Sequence, residues 1–347
     1  LSGWDVSSVT DFNGMFAGCK SLASFDVSGW DVSSATDFVY MFIGCRSLES
    51  LDLSTWKVDA LDDAASMFSS CTSLKSLNLS GWDISSCYSV DYMFYNCQSL
   101  ASLDLSGWKL TDVAQLAPLG VKKSAMFNDC TALSELKLAD SDIYTVSSIL
   151  GVLDPETRKG LKALDVSNAD LSGETSLRSL FDQMTGLTSL DLSGWDVSGV
   201  QDFSQLFQGC SSLVNLDVSG WDVSSAEDFS YMFRGCSSLK SLDLSGWDVS
   251  SATDFNRMFQ FCSSLESLDL NGWNPSSATR LDGMFQVCSA LTSLSLSGWD
   301  VSSVANFSWM FVNCRSLASF DVSGWDVSGA KDFEYMFAGC DSLESLD

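Results

Sequence analysis

A tryptophan returns every 26 residues: Trp4, Trp30, Trp56, Trp82 and Trp108, then Trp195, Trp221, Trp247, Trp273, Trp299 and Trp325. One phrase recurs around each of them, as in Leu-Asp-Leu-Ser-Gly-Trp-Asp-Val-Ser-Ser-Ala-Thr-Asp-Phe from Leu242 to Phe255. Self-similarity at a fixed period of this length is the mark of a solenoid, whose units stack only on their neighbours. Thirteen units of 26 residues account for 338 of the 347, and two departures supply the other nine. Seven residues are inserted between Trp108 and Cys130, and two between Ser141 and Ala169, which hold the tryptophan position in two degenerate coils. The expected organisation is a single repeat solenoid over 1–347. Its coils are regular in 1–108, irregular with insertions in 109–181, and regular again in 182–347.

One coil can be read residue by residue. Leu239, Leu242 and Leu244 follow an L-x-x-L-x-L spacing, with Leu242 and Leu244 on one face of a strand. Ser241, Asp243 and Ser245 then face the other way, and Gly246-Trp247-Asp248 makes a turn. Ser251 or Thr253 is placed to cap a helix, with Asp254 in its first turn. Phe255, Met258, Phe259 and Cys262 fall at i, i+3, i+4 and i+7, which predicts a two-turn helix. The residue before the cysteine is often glycine or asparagine, as at Gly18, Gly44, Gly235, Asn96 and Asn313, which tolerate the left-handed backbone that ends a helix. The expected fold is α/β: a leucine-rich-repeat-like solenoid of about 13 coils, with a parallel strand ladder on one face and short helices on the other. A lone coil buries too little apolar surface to offset its backbone entropy, so neighbours are required.

The run Tyr231-Met232-Phe233-Arg234-Gly235-Cys236-Ser237-Ser238-Leu239-Lys240-Ser241-Leu242-Asp243-Leu244-Ser245-Gly246-Trp247-Asp248-Val249-Ser250-Ser251 closely resembles the 26-residue repeat of the BspA-like leucine-rich-repeat group of bacterial surface proteins. The resemblance covers essentially the whole chain. It implies a secreted, cell-surface protein, often an adhesin or interaction module, with no catalytic residues to carry over. The departures lie in 109–181 and just beyond, where Ser141 and Ala169 stand in place of tryptophan and Met184 in place of cysteine.

Charge narrows the partners. The formal net charge is −27 and there is no histidine. Such a surface repels nucleic acid and anionic lipid headgroups. No run of 18 apolar residues exists to span a membrane. Histidine-based catalysis is ruled out, and nothing in a uniform array of carboxylates singles out a pair for glycoside hydrolysis. No enzyme is expected. The chain opens at Leu1-Ser2-Gly3-Trp4 and stops at Ser345-Leu346-Asp347, the same phase of the repeat. The expectation is a slice of a longer array, or copies that stack head to tail as a fibre.

Three sets of side chains carry competing readings. Eleven of the twelve cysteines precede the strand by three residues. Stacked in register, their Cβ vectors run parallel, which suits buried thiols better than disulfides, and no Cys-x-x-Cys pair supports zinc. The tryptophans read as a buried column closing a corner, with each indole N–H bonded to a turn carbonyl. The alternative is an exposed ladder that stacks sugar rings, which would make the chain a carbohydrate-binding module. Aspartates form three rows. Those after the tryptophan and before the helix suit turn and cap hydrogen bonds. The strand row, including Asp191, Asp217, Asp243 and Asp269, has no evident backbone partner. It is either solvated or bridged between coils by calcium, a cation that prefers oxygen ligands.

Residues 109–178 hold eight of the 18 basic residues, among them Lys122, Lys123, Arg158 and Lys159. This segment is either decayed repeat or a loop that contacts a partner, since insertions map to one face of a solenoid. The leading expectation is an extracellular, surface-exposed structural or adhesive repeat protein. Its partners would be host or neighbouring-cell surface proteins or glycans. An ice-binding surface on the serine rows is a third reading, disfavoured by the scarcity of Thr-x-Thr.

Overall fold

A computed structural model describes residues 3–110 and 125–346. It contains two compact units. The first runs through Asp170 and includes Leu190–Gly194; the second comprises Leu171–Ser189 and Trp195–Asp347. Both are built from parallel coils, about 11 turns among the described residues against the 13 expected from the period.

In the first unit β1 (Ser50–Asp52), β2 (Ser76–Asn78), β3 (Ser102–Asp104), β4 (Glu135–Lys137) and β5 (Ala163–Asp165) form a parallel ladder. Their central leucines are in register: Leu51 with Leu77, Leu77 with Leu103, Leu103 with Leu136, and Leu136 with Leu164. The last strand of that sheet is β6 (Ser189–Asp191). In the second unit β7 (Ser267–Asp269) pairs with β8 (Ser293–Ser295), and β9 (Ser319–Phe320) with β10 (Ser345–Leu346). Each strand is two or three residues long. A second set of rungs, one residue wide, joins Asp11, Asp37, Asp63 and Ser89 in the first unit. The matching set in the second unit runs from Ser176 through Asp202, Asp228, Asp254, Arg280 and Asn306 to Asp332.

In the regular coils the two-turn helix expected from the spacing is replaced by stacked turns. The N–H groups of Phe255, Arg257, Phe259 and Phe261 donate to carbonyls of the next coil, on Arg280, Asp282, Met284 and Gln286, at 2.8–3.1 Å. The intervening Met258, Gln260 and Cys262 donate three residues back, to Phe255, Arg257 and Phe259. An α-helix would spend all of these donors within the coil. Here half of them tie one coil to the next. Arg257 and Phe261 lie in the left-handed region, with φ of 54° and 64°. The turn therefore repeats every four residues, and over seven residues that period buries the same positions as a helix. Phe255, Met258, Phe259 and Cys262 are fully buried, as the spacing requires.

The described residues contain two α-helices, both in the irregular segment: α1 (Ile143–Val152) and α2 (Pro155–Gly160). Asp142 caps α1 by accepting from the Thr145 N–H at 2.7 Å. Asp154 caps α2 by accepting from the N–H groups of Glu156 and Thr157, with Pro155 pre-set for the first turn.

The core is made of aligned columns. Trp30, Trp56 and Trp82 stack with ring centroids 6.3 Å apart and planes within 7°. Phe42 stacks on Phe68 in the first unit, and Phe233 on Phe259 in the second. These columns hold the strand face and the turn face of each coil in fixed register.

Candidate functional site

The strand face of the first unit presents aligned polar rows. Leu51, Leu77, Leu103 and Leu136 point into the core. The residues that flank them point outward, in one row of Ser50, Ser76, Ser102 and Glu135 and another of Asp52, Asn78, Asp104 and Lys137. A shallow cavity of about 360 Å³ lies over these rows and reaches from Ser50 to Lys137.

The carboxylates of this row are not idle. Asp52 accepts from the Ser54 N–H at 3.0 Å and the Ser54 hydroxyl at 2.7 Å. Asn78 and Asp104 accept from the N–H of Ser80 and Ser106 in the same way. The expectation that the strand row lacks a backbone partner is therefore wrong. The Ser at i+2 supplies one, because the Asx turn closes over the end of the strand. Lys137 replaces the acid in one coil and lies 3.9 Å from Glu135.

The four aspartates considered for calcium follow the same rule. Asp191, in the first unit, accepts from the Ser193 N–H at 2.9 Å. In the second unit Asp217 and Asp243 accept from both the N–H and the hydroxyl of Ser219 and Ser245. Asp269 accepts from the Asn271 N–H at 3.0 Å. Hydrogen bonds from Ser54, Ser219 and Ser245 hold the carboxyls of Asp52, Asp217 and Asp243 below the usual carboxylate range. Among the described residues, no group of three or more His, Cys, Asp or Glu side chains is placed to hold a metal ion.

Nine of the eleven in-register tryptophans are buried, all but Trp4 and Trp325, which removes an exposed sugar-stacking ladder along the column. The Trp56, Trp82 and Trp247 indole N–H groups donate to the carbonyls of Val27, Leu53 and Val218, each 29 residues earlier, at 2.9–3.1 Å. A large ring that must stay dry and keep its N–H satisfied fits the corner of a coil.

None of the twelve cysteines forms a disulfide, and ten of them are buried. The Cys71 thiol donates to the Phe42 carbonyl at 3.1 Å, and Cys262 to Phe233 at 3.1 Å. Burial pushes the Cys71 thiol up to about 12 and raises Cys236, Cys262 and Cys288 well above the ordinary value. These thiols are not nucleophiles at neutral pH.

Of the basic residues singled out in the irregular segment, Lys122 and Lys123 lie outside the described residues. Arg158 donates from Nη1 to the Leu150 carbonyl at 2.9 Å, which ties α2 to α1. Lys159 is exposed and lies 3.4 Å from Glu156.

One feature escaped the sequence reading. The position four residues before the Gly or Asn that precedes each cysteine also lies in the left-handed region. It is filled by Tyr40, Tyr92, Tyr231, Trp309 and Tyr335, with φ between 52° and 65°. Gly14 and Gly283 occupy the same position in other coils. Ser66, Gln205 and Arg257 fill it in still other coils, so residue type alone does not mark the position.

The repeat, its parallel ladder and its stacked turns define a leucine-rich-repeat-like solenoid. The chain belongs to the repeat family described as "Mycoplasma protein of unknown function, DUF285", which matches residues 1–108, 26–140, 175–293 and 262–346. No curated protein matches it. Among solved structures it is similar to the TLR13–ssRNA13 complex, at 20% identity and a TM-score of 0.45, over 91% of this chain and 46% of that one. The chain thus spans about half the length of that relative, and the RNA belongs to that protein alone. It is also similar to a leucine-rich repeat protein from Bacteroides ovatus (16% identity, TM-score 0.39, covering 91% of this chain and 76% of that one). An internalin from Listeria monocytogenes matches at 16% identity and a TM-score of 0.36, over 87% of this chain and 72% of that one.

Proposed function

We propose that this chain is a non-catalytic binding solenoid displayed outside the cell, in the manner of the BspA-like surface proteins its repeat resembles. In this reading the strand face of the first unit binds a partner protein. The observation that supports it is the division of labour in each coil. Thiols, indoles and phenyl rings are spent on the core, while the strand face presents rows of hydroxyl, carboxylate and amide groups that line a 360 Å³ hollow. Asx hydrogen bonds fix those groups in place, so a partner meets a surface already ordered, which lowers the entropic cost of binding. Lys137 interrupts the acidic row and gives the face an individual charge pattern, the kind of feature that sets specificity.

The test is adhesion. Beads coated with the chain are expected to bind immobilised extracellular-matrix or cell-surface proteins, and Lys137→Glu or Asp52→Lys with Asp104→Lys to change that binding. Brief protease treatment of intact producing cells is expected to remove the protein. Binding unchanged by both strand-face variants, or a chain protected in intact cells, would overturn the reading.

A further inference from the structure

The turn face of the second unit carries a second surface, of different chemistry. Arg234 and Arg257 stand in neighbouring coils with the Tyr231 ring against both guanidinium groups, each 5.7 Å from the ring centre. Arg234 is also 5.7 Å from the ring of Phe261, a phenyl group 41% exposed to solvent. The guanidinium groups are held in position. Arg234 Nε donates to Gln260 Oε1 at 2.6 Å, and Arg257 Nη1 donates to the Tyr231 hydroxyl at 2.8 Å. Among the described residues neither forms an ion pair, in a chain of net charge −27. Arg280, one coil further on, shows the contrast: it lies 3.2 Å from both Asp254 and Asp282.

The rings are also in an expensive place. Tyr231 has a φ of 59° and Phe261 of 64°, and Trp309 and Tyr335 continue the Tyr231 column at 65° and 52°. A residue with a Cβ costs roughly 1–2 kcal/mol in that region, and Gly283 in the same column shows that glycine closes the turn. Trp309 and Tyr335 are 39% and 59% exposed, so burial returns little of this cost. Arg257 shares this conformation, at 54°, so the left-handed turn positions of neighbouring coils bring the arginine and aromatic side chains of this face together.

We propose that this face binds an acidic saccharide. Arg234 and Arg257 take its carboxylates through charge-assisted hydrogen bonds, the exposed Phe261 ring stacks on a sugar face, and Tyr231 holds the two guanidinium groups in place. An extended peptide advances ~3.3 Å per residue, whereas coils repeat every ~4.8 Å, closer to the length of one pyranose unit. That mismatch favours sugar over an acidic peptide. The assignment is independent of the strand-face reading.

Calorimetric titration of the whole chain decides it, with oligogalacturonate as probe, polyglutamate as a sugarless polyanion and a cello-oligosaccharide as a neutral sugar. Arg257→Gln, Tyr231→Gly and Phe261→Gly are each expected to weaken oligogalacturonate binding by roughly tenfold or more, the size of a lost charge-assisted contact. The glycine variants suit the left-handed backbone, so their melting temperatures are expected to hold or rise. Lys137→Glu, on the strand face, is expected to bind oligogalacturonate like the parent. No binding of oligogalacturonate, equal binding of polyglutamate or of the neutral sugar, or variants that bind like the parent would each overturn the proposal.

Discussion

Trp82 donates its indole N–H to the carbonyl oxygen of Leu53, 2.9 Å away and 29 residues earlier in the chain. The bond crosses from one coil to the preceding one and is fully buried. It joins two coils at the corner where the strand turns, so the tryptophan column both fills the core and sets the distance between coils.

Trp82→Phe keeps a ring in the column but leaves the Leu53 carbonyl without its donor. An unsatisfied buried acceptor costs about 1–3 kcal/mol, and the smaller ring leaves a void beside Trp56 and Phe38. Equilibrium denaturation is expected to show a loss of at least 1 kcal/mol. Trp4, which is exposed, serves as control, and Trp4→Phe is expected to change stability little. Equal effects of the two substitutions would contradict the role given to the bond.

Much of this was legible in the sequence, and the exceptions share a cause. The period of 26, the register of Leu51 on Leu77 and the burial of Trp82 and Cys71 follow from composition and spacing, because they depend on which residues are apolar. The turn segment was misread because a four-residue turn and a 3.6-residue helix bury the same positions between Phe255 and Cys262. What separates them is where the N–H groups donate, and side-chain pattern does not record that. The partner of Asp243 was missed for a related reason. Ser245 was assigned to a face of the strand, whereas its hydroxyl and N–H fold back over the aspartate that precedes it.

The thiols should divide by exposure. Cys236, Cys262 and Cys288 are buried and their ionisation is pushed well above the ordinary value by desolvation, so thiolate is scarce even at pH 9. A thiol reagent is expected to label Cys19, which is exposed, and Cys340 more slowly. The other ten should react only after denaturation. Rapid labelling of Cys262 in the native chain, or fewer than twelve thiols in denaturant without reductant, would contradict this.

The Asx rows predict a direction of acid sensitivity. Hydrogen bonds from serine lower the carboxyls of Asp26, Asp217, Asp243 and Asp300 below their ordinary value of 3.8. A depressed folded value contributes stability that is present above the unfolded value and lost as pH falls through the folded one. Asp91 and Asp254 are raised by burial and act in the opposite sense, but they are few. The melting temperature is expected to fall as pH drops below about 4. Replacing Ser219 and Ser245 by alanine should shrink that acid-dependent part. A melting temperature flat down to pH 2 would show that these bonds do not couple to folding.

Because each strand-row aspartate already has its turn partner, a chelator is expected to leave the melting temperature unchanged, and millimolar calcium to leave it unchanged as well. A fall on chelation that calcium reverses would restore the ion bridge between coils, and Asp217→Asn and Asp243→Asn would then locate it.

The left-handed column gives the sharpest test of the stacked-turn architecture. Gly283 has a φ of 64°, and an added Cβ would lie 3.0 Å from Cγ of Arg257. Gly283→Ala therefore adds both backbone strain and a contact that Arg257 must relieve, and is expected to cost about 1–2 kcal/mol. Tyr40 occupies the equivalent position in the first unit at a φ of 57° and is 45% exposed. Tyr40→Gly relieves similar strain while giving up a half-exposed ring, and is expected to leave stability level or raise it. In an α-helix the signs reverse, because alanine is favoured over glycine by about 1 kcal/mol. Denaturation curves for the two variants thus report the backbone directly. A stabilising Gly283→Ala together with a destabilising Tyr40→Gly would mean that the segment is helical.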